Sequence, residues 1–190
     1  MRAQANNKAK QKVLYEGRFL RFARKGDWEY VQRNNCSAIV IIVAVTEDDH
    51  VVFVEQYRPP VDKIVIEFPA GLVNDFGKKK KESNYCAAKR ELLEETGYQA
   101  KKMVKILKGP VSSGSNADLI TMFLAKDVKK VSEGGGDDSE SIIVHSVPLG
   151  NVDQWLAKME RKGYLVEPKI YTGLYFLRSQ DLRSDSARKS

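Results

Sequence analysis

The sequence predicts an α+β fold: an α/β/α sandwich with a mixed β-sheet between helices, plus an N-terminal antiparallel β-hairpin region. Three observations predict it. β-branched and aromatic runs crowd the first half of the chain, helical periodicity begins only near residue 82, and strands and helices do not alternate as regular βαβ units. No internal repeat breaks the pattern.

Residues 1–12 read as a polar N-terminal tail. Residues 13–24 and 28–33 flank Lys25-Gly26-Asp27, a turn between β-prone runs, and predict the first hairpin within an N-terminal β region of residues 13–36. Residues 38–45, AIVIIVAV, and 51–57 flank Glu47-Asp48-Asp49 and predict a second hairpin. The unbroken apolar run marks a central strand buried on both faces. Residues 103–107, 119–125 and 142–147 supply three further strands.

A helix is predicted from Glu82 to Thr96, with Gly97 placed to take the left-handed conformation that stops it. Val152, Trp155, Leu156 and Met159 recur at i, i+3, i+4 and i+7 and predict a second helix ending at Gly163. A third is predicted over residues 169–178, followed by a polar C-terminal tail of residues 179–190.

At 190 residues and 42% hydrophobic, the chain suffices for one domain with a core of its own. The net charge of +7 comes from 32 basic against 25 acidic residues, a surplus on a mixed surface that does not by itself mark a nucleic-acid binder. Cys36 and Cys86 lack the spacing of a zinc site. The basic first residues are not followed by the apolar run of a signal peptide, and no segment approaches the roughly 18 apolar residues of a membrane span. A soluble, cytoplasmic protein is expected, with no membrane partner.

The chemistry concentrates in residues 87–98, AAKRELLEETGY. Glu91, Glu94 and Glu95 stand three and four residues apart, which on a helix puts them within an arc of about 100°, beside an arc carrying Tyr85, Ala88 and Leu92. Like charges on adjacent turns repel by a few tenths of a kcal/mol per pair unless a cation joins them. Arg90 supplies one, and a hard divalent ion such as Mg²⁺, which takes carboxylate and phosphate oxygens, is another. These four residues alone also fit a solvated acidic face with a Glu/Arg pair.

The surroundings narrow the choice. Glu82 precedes Arg90 by seven intervening residues, and Glu82, Arg90, Glu91, Leu92, Glu94, Glu95, Gly97 and Tyr98 fall in the register of G-x5-E-x7-R-E-U-x-E-E-x-G-U, where U is bulky and apolar. In this the chain resembles the Nudix hydrolase family. The pattern places glycine where this chain has Phe76; the counterpart, Gly71, stands ten residues before Glu82 rather than five, so the lysine-rich stretch with Lys78 to Lys81 reads as an insertion of about five residues.

Val54-Glu55-Gln56-Tyr57-Arg58-Pro59-Pro60 and Ile66-Glu67-Phe68-Pro69-Ala70-Gly71 extend the resemblance to the branch of ADP-ribose and nucleoside diphosphate sugar pyrophosphatases, over residues 16–177. The resemblance implies a Nudix fold over residues 37–178 and Mg²⁺-dependent hydrolysis of the pyrophosphate bond, with Mn²⁺ as a substitute. It implies metal ligation by the Ala70 carbonyl, Glu91 and Glu95, with Glu94 assisting and Arg90 orienting the carboxylates. Glu140, after a Gly134-Gly135-Gly136-Asp137-Asp138 loop, matches a glutamate that the branch delivers to the metals or the attacking water, though such a loop is also what a plain connection looks like.

Arg58 corresponds to a phosphate contact, with a surface salt bridge as its plainer alternative. Trp28 and Phe19 correspond to aromatics that stack on the base, with core packing as the alternative. Glu29, Arg33, Glu67 and Leu72 complete the implied substrate-binding set, and the loop from Gly114 to Asp118 sits where the branch lines its substrate. A homodimer is implied. Two other readings compete: a Nudix enzyme acting on dinucleoside polyphosphates or RNA 5′ ends, and a non-catalytic ADP-ribose sensor. No basic stripe interleaved with aromatics supports RNA, and a sensor has no need of the full carboxylate set.

Overall fold

The computed structural model describes residues 9–74, 81–136 and 141–187. Its smaller sheet has three antiparallel strands, β1 (Gln11–Glu16), β2 (Leu20–Lys25) and β3 (Trp28–Arg33). The single strand predicted over residues 13–24 is therefore two. The chain reverses at Gly17, whose N–H donates to the Leu20 carbonyl at 2.8 Å, so Phe19 lies in a turn rather than in a strand. The Lys25-Gly26-Asp27 turn is present, with Gly26 at φ 60°.

The larger sheet is mixed, as predicted. It contains β4 (Ala38–Thr46), β5 (His50–Arg58), β6 (Lys63–Glu67), β7 (Ala70–Val73), β8 (Tyr98–Gln99), β9 (Met103–Pro110), β10 (Leu119–Lys130), β11 (Ile143–Pro148) and β12 (Leu165–Val166). The main path is β12-β6-β5-β4-β10-β8, with β11 added to β5, β7 to β4 and β9 to β10. β4–β10 and β6–β12 are parallel and the other pairs antiparallel.

β4 and β5 share a ladder only at Ala44–Val52 and Val45–Val51. Beyond it they part, and β4 pairs with β7 through residues 38–41 while β5 pairs with β6 through residues 54–58. The crossing from β6 to β7, Glu67 to Ala70, fills the fork. Neither strand is signalled by periodicity, because β6 and β7 are short, with five and four residues, and Pro69 stands between them.

Among the described residues three α-helices cover the sheet: α1 (Asn84–Thr96), α2 (Val152–Arg161) and α3 (Lys169–Ala187). α1 starts two residues later than predicted because Ser83 caps it, its hydroxyl accepting the Cys86 N–H at 3.2 Å, and Gly97 ends it at φ 72°. α3 continues past residue 178 to Ala187.

Alternation along β4 assigns each helix to a face. Ile41, Val43 and Val45 pack with Phe53, Ile66 and Phe68 against Leu156, Ile170 and Leu174 of α2 and α3. Val40, Ile42 and Ala44 pack with Val52 against Ala87, Ala88 and Leu92 of α1. Burial on both faces explains the unbroken apolar run in β4. No helix among the described residues is long and apolar enough to cross a membrane.

Candidate active site

The site is built where α1 lies along β7. Arg90 is its hub: Nε and one terminal nitrogen meet both carboxylate oxygens of Glu82 at 3.0 and 3.1 Å, and the other terminal nitrogen meets Glu91 at 2.7 Å and Glu94 at 2.8 Å. The first terminal nitrogen also donates to the Leu72 carbonyl at 3.1 Å. Hydrogen bonding from Glu82 first, then from Glu94 and Glu91, holds the guanidinium in its charged form more firmly than usual despite partial burial. Glu82 is fixed in turn by Asn74, whose side-chain oxygen accepts the Glu82 N–H at 2.6 Å. Asn74, at φ 54°, is a part of the site that sequence reasoning missed. The signal was its side chain's tolerance of left-handed backbone.

Glu95 takes a different partner. Its Oε2 accepts the Ala70 N–H at 3.0 Å, and the residue is only 5% exposed. Beside it Gly71 runs flush against Glu91, where a Cβ would fall 1.9 Å from the Glu91 carboxyl carbon. Gly71 is thus the residue set flush against the carboxylate helix, and only a residue without a side chain lets the Glu91 carboxylate lie there. Phe76 and Lys78 to Lys80 lie outside the described residues.

The far end of α1 is closed by the glycine loop. The N–H groups of Gly135 and Gly136 donate to the Glu95 and Glu94 carbonyls at 2.8 and 3.1 Å, satisfying carbonyls that a helix end leaves without partners. Gly134, at φ 73°, lies so close that a Cβ would stand 2.3 Å from the Thr96 carbonyl carbon. The loop is thus more than a plain connection up to Gly136; Glu140 lies outside the described residues.

Three carboxylates, Glu91, Glu94 and Glu95, thus share one helix face, with Gly71 and Ala70 against it. Hard oxygen donors of this kind suit a divalent cation with phosphate oxygens completing its shell. Among the described residues no three His, Cys, Asp or Glu side chains stand as a ready-made coordination cage, and Arg90 serves as the counter-ion for two of these carboxylates.

Arg58 of β5 and Glu67 of β6 meet across the ladder that joins these two strands, Nε to Oε2, at 2.7 Å. The plainer alternative of a salt bridge is thus realised, but Glu67 is 8% exposed, so the pair is anchored in the protein rather than loose on its surface. Glu67 stands three residues before Ala70, which ties this pair to the carboxylate face.

Trp28 and Phe19 are 56% and 48% exposed, so they are not core residues. Trp28, Glu29 and Arg33 lie on β3 of the smaller sheet, which is joined to the larger one by the segment before β10. Val31 N–H donates to the Ser115 carbonyl at 2.9 Å, Ala117 N–H to the Val31 carbonyl at 3.0 Å, and Arg33 N–H to the Asp118 carboxylate at 3.1 Å. A cleft of about 200 Å³ opens here, lined by Arg33, Lys108 and Asp118 among others. His145, without a partner legible in sequence, meets Glu55 at 2.8 Å beside Trp155.

The chain has relatives of known fold and name. A methanol dehydrogenase activator of Bacillus methanolicus is 31% identical over 151 residues, 79% of this chain and 74% of the relative. An ADP-ribose pyrophosphatase of Bacillus subtilis is 36% identical over 111 residues, 58% of this chain and 57% of that one. The crystal structure of an ADP compounds hydrolase superposes with a TM-score of 0.67 at 21% identity, covering 90% of this chain and 91% of the other, and so shares the fold. The NUDIX domain model matches residues 37–165, the span that holds both the carboxylate helix and the fork beside it, and the chain belongs to the Nudix hydrolase family.

Proposed function

We propose that the chain hydrolyses the pyrophosphate bond of ADP-ribose and related nucleoside diphosphate sugars, with Mg²⁺ as its metal and Mn²⁺ as a substitute. The observation that carries this reading is the assembly of Glu91, Glu94, Glu95 and Arg90 against Ala70 and Gly71. The ADP-ribose pyrophosphatase relative supports the substrate class.

Glu91, Glu95 and the Ala70 carbonyl would hold the metal. When bound, it neutralises phosphate charge and lowers the pKa of coordinated water. Arg90 keeps the Glu91 and Glu94 carboxylates from repelling each other, and Glu94, with 53% of its side chain exposed, faces the solvent from which the attacking water comes. Glu140 is proposed to act on that water or the metal. Arg58 donates to a substrate phosphate, while Trp28 and Phe19 stack on the base, with Glu29, Arg33 and Leu72 lining its approach.

The exposed apolar residues of the smaller sheet support a homodimer. A reducing cytoplasmic setting belongs to the same proposal, with Cys36 and Cys86 not joined as a disulfide. The test is an initial-rate comparison across ADP-ribose, GDP-mannose, UDP-glucose and diadenosine polyphosphates with Mg²⁺ or Mn²⁺. AMP and ribose 5-phosphate from ADP-ribose is the expected outcome; faster cleavage of the polyphosphates would overturn the substrate class, and tight binding without turnover would mark a sensor.

A further inference from the structure

We propose that Lys169, at the start of α3, is a substrate-contacting residue that joins Arg58 and Glu67 to hold the phosphosugar half of the substrate, the part remote from the base. The proposal rests on the pyrophosphatase reading and deepens it.

Lys169 is an odd residue to find at this place. It opens α3, where the helix dipole favours anions over cations. Its ammonium is ion-paired with Glu167, yet 24% of the side chain is exposed, so it is largely withdrawn from water. Burial lowers its pKa; Glu67 opposes that and the nearby Arg58 adds to it. Glu167 and Glu67 balance the two cations, so the cluster can hold Lys169 and Arg58 together before any ligand arrives.

The surrounding backbone fixes where this cation stands. Glu167 N–H donates to the Ile66 carbonyl at 3.0 Å, and β12 runs parallel to β6 through Leu165–Val65 and Val166–Ile66. The Lys169–Glu167 pair is thereby held against β6 beside Glu67, which itself accepts from Arg58 at 2.7 Å. Two cations and two carboxylates thus gather around β6, from β5 on one side and β12 with the start of α3 on the other. Among the described residues Arg58 uses its Nε on Glu67 and not its terminal nitrogens, and an ammonium carries three donors of which Glu167 takes one.

Position selects the phosphosugar over the base. Glu67 lies three residues from Ala70, so chain geometry limits the separation to roughly 10 Å. The cluster therefore sits within reach of a group attached to a phosphate at the carboxylate face. The proposed base-stacking aromatics, by contrast, belong to the smaller sheet. Phosphate oxygens and sugar hydroxyls accept from ammonium and guanidinium groups, which fits the donors left over.

The test compares ADP-ribose with AMP, which lacks the phosphosugar. In the full chain carrying Glu95→Gln to suppress turnover, calorimetry with Mg²⁺ measures both affinities with and without Lys169→Met. A lost hydrogen bond to a charged group predicts at least about a tenfold weakening for ADP-ribose. AMP should change by less than about twofold, and Lys169→Arg should recover part of the loss. Unchanged ADP-ribose affinity, or equal weakening of AMP, overturns the proposal.

Acylation of lysines in the unsubstituted protein, read by peptide mass spectrometry, decides the matter even if the methionine variant fails to fold. ADP-ribose should protect Lys169 and AMP should not; equal protection by both, or by neither, overturns it. Wild-type protein that neither binds nor cleaves ADP-ribose or a nucleotide sugar defeats the pyrophosphatase reading as well. Normal cleavage with an indifferent Lys169 defeats this inference alone.

Discussion

The Ala70 N–H donates to Glu95 Oε2 at 3.0 Å, linking the first residue of β7 to the last turn of α1. Glutamine at position 95 keeps an oxygen that can accept this hydrogen bond but removes the negative charge. Glu95→Gln should therefore stay folded, with a melting temperature within a few degrees of wild type, while kcat falls by at least about a hundredfold, the scale on which losing one electrostatic stabiliser acts. Near-normal turnover would remove Glu95 from the metal set.

Gly71→Ala tests the other carboxylate. The added methyl would overlap the Glu91 carboxyl, which is the mobile end of a side chain, so the fold can yield by moving that group aside. Stability should change little. The Mg²⁺ concentration giving half-maximal rate should rise about ten- to a hundredfold, as expected when a metal ligand loses its orientation. An unaltered Mg²⁺ dependence would show that Glu91 does not need its place over Gly71.

These two contacts show what could be read from the chain and what could not. The helix was legible because its carboxylates, its apolar arc and Gly97 all follow one period of 3.6 residues. β4 was legible because an unbroken run of apolar, mostly β-branched residues marks a strand buried on both faces. The β6–β7 fork was not, since it is made by two short strands pairing with neighbours that local periodicity does not name, and strand preference depends on such neighbours. Asn74 and Lys169 each have neighbours brought near only by the fold: Glu82 for one, Glu67 and Arg58 for the other. The turn at Gly17 has no distinct local signal, since a single glycine inside a β-prone run also fits a strand.

Gly173 carries a prediction about stability alone. It lies in α3, where a Cβ would come 2.4 Å from the Phe68 ring and 2.7 Å from a Val43 methyl. Both neighbours are fully buried, so neither has space to move into. Alanine ordinarily favours a helix over glycine by roughly 1 kcal/mol. Here overpacking costs about 1–3 kcal/mol and should prevail, lowering the denaturant midpoint of Gly173→Ala without a change in slope. An increase in stability would mean that α3 stands further from the sheet.

Trp28→Ala separates binding from folding. With 56% of the residue exposed, removing the indole costs the core nothing, so the melting temperature should hold. Stacking on a base is worth about 1–3 kcal/mol, and KM for ADP-ribose should rise roughly five- to a hundredfold with kcat near its original value. If KM did not move, base stacking would have to be assigned elsewhere than Trp28.

Association of two copies is predicted from β1. Its six residues are all exposed, including Val13, Leu14 and Tyr15, the last at 70%, and it pairs only with β2 among the described strands. β3, at the other side of the sheet, is already held by Ser115 and Ala117. An apolar edge strand open on both faces is a template for pairing with another chain, and a second copy is the partner proposed here. Light scattering should give about twice the chain mass of 21.5 kDa. Replacing Leu14 and Tyr15 together by aspartate puts two charges on that strand, where its pairing with β2 shifts register, and should return the protein to one chain mass. If the base site draws on the partner, KM for ADP-ribose should rise in the same variant. A protein of single mass from the outset would rule out the dimer and leave Trp28 to work within one chain.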